Sequence, residues 1–473
     1  MTAAPRQLNM LMPNSPQGAE RFEIHTAAKG HHGLDQPRRS IAIGAVLSAM
    51  AMVVIDGGLS NVALPTLATS LRITPSDAIL VITAYQAAVV MMLLPSAALG
   101  ERFGYRRVFA VGVGVFSAAS LASALAPSLP WLICARFAQG LGAAAILALG
   151  VALLRFSVSD ARLGSAIGWN ALAVALSAAA GPAIGALIIS VADWHWLYVA
   201  NIPLGIAVLV ATRALPFVES HKGHVDVVSI ALNCAVFAFI VLGADAAATD
   251  PLLAAGLFLL GALSLVTLVT REKTKARPLI PIDLLRSFPF ATSIIASVCC
   301  FTGQTAGLIA LPFYLQHQLG QTPALAGLYM TAWPLSVAIT APLAGRVTRR
   351  IPTGWACAVG AALLTVGLGA IALWPLQGDP QLFTAFAMTC GVGFGLFQVA
   401  NNRNMFLAAP PARSAAAGGM QGTARLMGQT AGALIVAQLF ALMPLTATPQ
   451  IAMGIGAAFT VAAGAISLLR TCS

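Results

Sequence analysis

This chain has little charge. Asp, Glu, Lys and Arg make up 9% of its 473 residues, against about 25% in soluble domains, which excludes one large water-facing surface. Acid is scarcer than base: 15 Asp and Glu face 26 Lys and Arg, a net charge of +11. Cysteine is also sparse. Cys134, Cys234, Cys299, Cys300, Cys357, Cys390 and Cys472 show no CxxC or Cys/His spacing, which argues against a zinc site or disulfide framework and for small packing residues. None of the seven His (His25, His31, His32, His195, His221, His224, His317) pairs with a carboxylate inside an apolar run. An enzyme would need such a cluster, so no enzyme, metal or cofactor is expected. The first forty residues are polar and lack the apolar core of a secretory signal. They read as a disordered tail, and Met10 or Met12 is an alternative start.

Apolar residues make up 58% of the chain, with 43 Gly and 27 Pro, and the mean hydropathy is +0.85. Small residues let membrane helices pack closely, and Gly and Pro are tolerated there. With about 20 residues per crossing, spans are predicted near 41–65, 77–99, 107–127, 130–153, 163–191, 196–213, 227–247, 251–270, 289–314, 323–345, 354–375, 382–407, 414–444 and 450–469. With the N-terminus inside, Arg72 alone among the Lys and Arg falls on an outer loop. Arg136, Arg403 and Arg425 fall within spans, and the rest cluster on the inner side. That is the positive-inside pattern, and it argues against nucleic acid as a partner. Asp77, Asp193, Asp245, Asp250 and Asp379 fall on the outer side. Adding or removing one helix would invert half of this pattern, so an even number of spans with both termini cytoplasmic is expected.

One acid sits within the first apolar run: Asp56. A carboxylate at that depth costs several kcal/mol unless a partner or pathway justifies it, and such residues mark proton relays. A weak internal repeat links SAAAGPAIGAL at 177–187 with RLMGQTAGAL at 425–434, and AALGERFGYRR at 97–107 with PLAGRVTRR at 342–350. Two six-helix halves, 41–214 and 287–473, are expected around an inserted helix pair and linker at 215–286, after the tail at 1–40. Solute sites in repeat-built transporters lie between the halves near mid-depth. Polar or aromatic residues within spans are therefore cavity candidates: Asn61, Tyr85, Gln86, Gln139, Trp169, Asn170, Phe301, Gln304, Trp333, Gln398, Asn401, Asn402, Arg425 and Gln429. For any one of them, an interhelical hydrogen bond or lipid contact is the alternative. Arg403, near an inner helix end, is expected to snorkel.

Several motifs, in order, carry a family resemblance over residues 41–470. Ala97 to Arg107 resembles a GxLaDRxGrkr loop, with Ala97 and Glu101 departing from it. Arg136-Phe137-Ala138-Gln139-Gly140 resembles RxxQG. Ser177 to Ala186 is similar to gxxxGPxxGG. Asp56 with Asn61-Val62-Ala63-Leu64-Pro65, and Trp194 to Gly205 with His195 in place of Arg, look like signatures of helices 1 and 6. The chain thus resembles the major facilitator superfamily, and within it the fourteen-helix drug:proton antiporters. The resemblance implies an all-α fold of two six-helix bundles plus two central helices, in the bacterial inner membrane. It implies proton coupling through Asp56 and Arg136, and a conformational latch formed by Glu101, Arg102, Gly104, Arg106 and Arg107. It also implies an exporter motif in helix 5 at Gly181, Pro182 and Gly185. The implied activity is proton-driven export of hydrophobic or amphipathic small molecules by a monomer, with the proton gradient as energy source. The alternative is an importer or uniporter of a small metabolite on the same fold.

Overall fold

The computed structural model describes residues 33–218, 226–275, 280–373, 380–410 and 413–470. Among the described residues, fourteen helices are long and apolar enough to cross a membrane: α1 Arg38–Leu71, α2 Pro75–Phe103, α3 Tyr105–Ala124, α4 Leu129–Ser157, α5 Asp160–Val191, α6 Trp196–Ala214, α7 Val227–Ala246, α8 Pro251–Glu272, α9 Phe288–Gln318, α10 Pro323–Val347, α11 Thr353–Leu373, α12 Pro380–Ala408, α13 Ser414–Leu442 and α14 Thr448–Leu469. Helices satisfy their own backbone groups, and lipid offers no other partner. The predicted spans all exist, and several run longer. The first span, predicted near 41–65, runs on to Leu71 with Pro65 inside α1. Asp77 is a cap rather than a loop residue. It sits in the first turn of α2, where its carboxylate and the Thr74 hydroxyl satisfy each other's backbone N–H groups. Residues 1–32 of the predicted tail and residues 219–225 and 276–279 of the predicted linker lie outside the described residues, whereas Arg38 to Ser40, expected in the tail, already belong to α1.

Short loops place successive helices antiparallel, so the Arg-rich joints gather at one end. This is called here the basic end, and the other the far end. The first and second sets of six helices repeat one packing plan. In the first set α5 lies on α1; in the second α13 lies on α9. The sequence repeat marks these two crossings. A Cβ on Gly181 would stand 3.0 Å from the Gly58 Cα, and one on Gly185 3.1 Å from the Leu59 Cα. At the equivalent positions, Gly428 would meet the Val298 carbonyl at 2.5 Å and Gly432 the Thr302 carbonyl at 2.6 Å. Only glycine lets the backbones approach this closely.

Helices α7 and α8 pair with each other, and α7 leans on the seam between α2 and α13. Asn233 of α7 donates to the Met91 carbonyl of α2 at 2.8 Å, and Gln438 of α13 donates to the Ala244 carbonyl of α7 at 2.6 Å. At the basic end, Asp226 caps α7 and accepts from Lys275 and Arg271 below α8. Lys275, Arg271 and the cap hydrogen bonds hold the Asp226 carboxyl well below the usual carboxylate range. A depressed folded-state pKa stabilises above the unfolded value and is lost only as pH falls through the folded one. Between pH 7 and 5 this clamp is therefore expected to stay intact. Asp226→Asn should lower Tm by about 2 °C at either pH, the scale of a pair worth about 1 kcal/mol. A loss confined to pH 5 would contradict the assignment.

The two sets of helices meet at the far end, and of their contacts the α2–α13 seam continues toward the basic end, where Leu94 and Leu93 lie against Gly419 and Gly422. At the far end Ser76 donates to the Ala437 carbonyl at 2.9 Å, and Gln316 reaches the Val62 carbonyl at 3.5 Å. Gly327 of α10 lies against α5 so closely that a Cβ there would stand 2.2 Å from the Ala186 Cβ. Nearer the basic end, α5 is exposed over more than half of its circumference, at Gly164, Ser165, Ile167, Gly168, Trp169, Ala171 and Leu172, and Ala166 is the one buried residue between 162 and 172. A helix packed on one side would keep a buried stripe. Such a stripe returns only at Ser177, Ala179, Gly181, Pro182, Gly185 and Ala186. A cleft between the two sets therefore opens toward the basic end.

Candidate functional site

Asp56 lies midway along α1 and is 1% exposed. It is fully engaged. Arg136 of α4 donates to Oδ2 at 2.6 Å, while Oδ1 accepts from Gln139 Nε2 at 3.0 Å and Asn201 Nδ2 at 2.7 Å. Gln139 also accepts from Arg136 at 2.6 Å and donates to Ser120 Oγ at 2.9 Å. Arg136 and Gln139 are one turn apart on α4 and so face the same way. The guanidinium lies between two rings, 4.4 Å from the Tyr85 centroid and 5.5 Å from that of Tyr198, within cation–π range. α1, α2, α3, α4 and α6 thus each supply a member of one buried network.

The expected pairing of Asp56 with Arg136 is present, and Gln139 belongs to it rather than to an open cavity. Asn201, Ser120 and Tyr198 were missed as members. Asn201 and Tyr198 stand in the quoted Trp194 to Gly205 segment, and a lone Asn in an apolar helix was the available signal. Asn201→Leu should cost about 1–3 kcal/mol, because it strips a hydrogen bond from a buried charged group. The loss should shrink when Asp56 is replaced as well, which a thermal-melt double-mutant cycle measures.

The other candidates divide by place. Gln86, Asn170, Gln304, Gln398, Arg425, Gln429 and Asn61 are half-buried within the spans. Buried polar atoms without a described protein partner include Tyr85 Oη, Gln86 Oε1, Asn170 Oδ1, Gln304 Oε1, Trp333 Nε1 and Arg425 Nε. Native interiors rarely leave such groups unmet unless solvent or a ligand reaches them. Trp169 is 59% exposed. Phe301 is buried and packed edge-on against Phe394, with centroids 5.2 Å apart.

Asn401 stands apart from the cavity set. It donates to the Ser293 carbonyl at 3.0 Å and accepts from Arg470 at 3.1 Å near the basic end, as an interhelical clamp. Asn402 is half-buried beside it. Arg403 does not snorkel freely, since it donates to the Thr348 carbonyl at the end of α10. That hydrogen bond ties α12 to α10, a reason for its place that charge alone did not reveal.

The expected latch loop turns at Gly104, whose φ of 94° is a left-handed conformation that disfavours other residues. Glu101, Arg102 and Arg107 are exposed, and Arg106 is half-buried. Arg102 lies over the Phe103 ring at 5.9 Å, and among the described residues Glu101 has no ion pair. Gly181 and Gly185 sit in the crossing with α1, and the Pro182 carbonyl would lie 2.7 Å from a Cβ on Gly327. The helix 5 motif therefore touches both sets of helices at once.

Comparison with known proteins follows the same lines. A family profile described as Major Facilitator Superfamily matches residues 42–433. "Uncharacterized transporter YebQ" of Escherichia coli is 41% identical over 86% of this chain and 90% of its own. The tetracenomycin C resistance and export protein of Streptomyces glaucescens is 28% identical over 88% and 78%. "Riboflavin transporter RibZ" of Clostridioides difficile is 26% identical over 85% and 87%. Among solved structures, a bacterial homologue of the lysosomal transporter Spinster, described as inward-facing and unoccupied, superposes with a TM-score of 0.68 at 14% identity. It covers 93% of this chain and 98% of its own.

Proposed function

Because the chain belongs to the major facilitator superfamily, whose related proteins here are transporters and not enzymes, we propose that it is a proton-coupled antiporter exporting amphipathic small molecules. The Asp56–Arg136 pair carries this reading. Two opposite charges, each 1% exposed, hold each other at 2.6 Å. Protonating Asp56 would leave Arg136 buried without its counter-ion, and breaking such a pair costs about 3–5 kcal/mol. Proton binding then cannot be silent, and the helices holding the pair must rearrange to rehouse the cation. Those helices, α1, α2 and α4, also face or flank the cleft. The proton load is thereby converted into a change in which end is open.

The basic end is assigned to the cytoplasm by the positive-inside rule, so this conformer opens inward and both termini are cytoplasmic. Solute enters from the cytoplasm among Gln86, Asn170, Gln304, Arg425 and Gln429. The exposed Glu101 fits a latch that is released while the cytoplasmic end is open. Drug export is supported by the relative named for tetracenomycin C resistance. The relative named for riboflavin transport favours a second reading, movement of a planar metabolite. Inside-out vesicles separate the two: acid-inside vesicles should accumulate solute if the protein exports. Accumulation only in right-side-out vesicles would favour import.

A further inference from the structure

At mid-depth the charges do not balance. Asp56 is neutralised by Arg136, and the six helices α9 to α14 contain no Asp or Glu from end to end. Arg425, midway along α13, is therefore a cation without an acid. Among the described residues it makes no ion pair or hydrogen bond, and its Nε is buried without a partner. It lies within electrostatic reach of Tyr85, whose ring packs on the Arg136 guanidinium and whose hydroxyl is likewise buried and unmet. Leu426, next in sequence, packs into the apolar cluster that contains Tyr85, which fixes this stretch of α13 against α2. On α10, Trp333 Nε1 is also buried and unmet. Arg425 Nε and Trp333 Nε1 can only donate hydrogen bonds. A guanidinium at this depth that is unpaired among the described residues is costly and marks a ligand path by default.

We propose that Arg425 is the anion anchor of the solute site, and that the transported solute is an amphipathic mono-anion, a carboxylate or equivalent group on an apolar body, rather than a lipophilic cation. This rests on the reading of the mid-depth cleft as the solute's site. A guanidinium pairs a carboxylate through two parallel N–H donors, which neutralises the surplus charge and satisfies Nε together. A monovalent cation would have to approach Arg425 with no free carboxylate nearby. The direction of charge movement follows. Exporting an anion while admitting a proton carries positive charge inward on both legs, so an inside-negative potential drives the cycle. Exchange of a monovalent cation for one proton would be electroneutral.

A matched trio of probes tests this: 2-naphthoate, 2-naphthylmethanol and 2-naphthylmethylammonium, which share a ring system and differ in charge. Equilibrium binding to the purified full chain in detergent should rank naphthoate tightest by at least tenfold. Arg425→Gln should weaken naphthoate at least tenfold and leave the alcohol unchanged. Arg425→Lys, which keeps the charge and loses the fork, should fall between and guards against misfolding of the Gln variant. Equal binding of naphthoate and naphthylmethylammonium, no naphthoate binding, or naphthoate binding indifferent to both Arg425 variants would overturn the proposal. In proteoliposomes, naphthoate flux should rise with an imposed inside-negative potential. Arg425-dependent binding with flux indifferent to a pH gradient would remove proton coupling and leave the anion site standing. Ethidium-type cation export driven by a pH gradient, without naphthoate binding, would do the reverse.

Discussion

Asp56→Asn is expected to abolish pH-driven solute efflux in proteoliposomes, down to the leak of protein-free vesicles. Asn is nearly isosteric and can still accept from Asn201 or Gln139, so the geometry of α1, α4 and α6 survives. It cannot take up and release a proton. It also leaves Arg136, 1% exposed, without its counter-ion, so stability should fall by about 3–5 kcal/mol. Adding Arg136→Gln should recover much of that loss, because removing both members of a buried pair is far milder than removing one. Transport should stay absent in the double variant. Stability restored without pH-driven flux would separate the role of the pair in coupling from its role in packing. Undiminished efflux in Asp56→Asn would remove Asp56 from the mechanism.

Gly327→Leu is expected to drive the protein toward the conformer open at the far end. In this structure a bare Cβ at 327 already overlaps α5, at 2.2 Å from the Ala186 Cβ and 2.7 Å from the Pro182 carbonyl. α5 and α10 belong to different sets of helices, and this contact exists only where the far end is closed. The penalty falls on the conformer that holds this contact. Overpacking of about 1–3 kcal/mol corresponds to a shift of about 5–150-fold between states. The readout is labelling of Val62→Cys by a membrane-impermeant maleimide, with native cysteines replaced. Val62 is buried at the far-end interface, so its labelling should rise at least tenfold in the Gly327→Leu background while transport falls. Unchanged labelling with transport intact would show that the α5–α10 contact does not gate the far end.

Much of the architecture was legible because lipid imposes few solutions. A run of about 20 apolar residues becomes a helix wherever it occurs, and basic joints mark one end. Helix ends were read less well. The first span was placed near 41–65, yet α1 continues through Pro65 to Leu71. Asp77 was assigned to a loop although Thr74 three residues earlier forms a capping box with it. The repeated glycines announced close crossings but not their partners. That Gly181 faces Gly58, and Gly428 faces Val298, follows from how the helices pack.

Sequence alone settled that this chain is a multi-helix membrane protein with a single acid deep in its first helix, because burying charge is so costly that its rarity is itself a signal. It also marked the loop, helix 4 and helix 5 motifs. Tertiary structure decided what each polar residue is for. Asn201 and Ser120 entered the carboxylate network, Asn401 became a clamp with Ser293 and Arg470, and Arg425, near Tyr85, has no counter-ion among the described residues. Helical periodicity tells which residues share a face, but the partner across that face is chosen by helix packing at a distance of many turns along the chain.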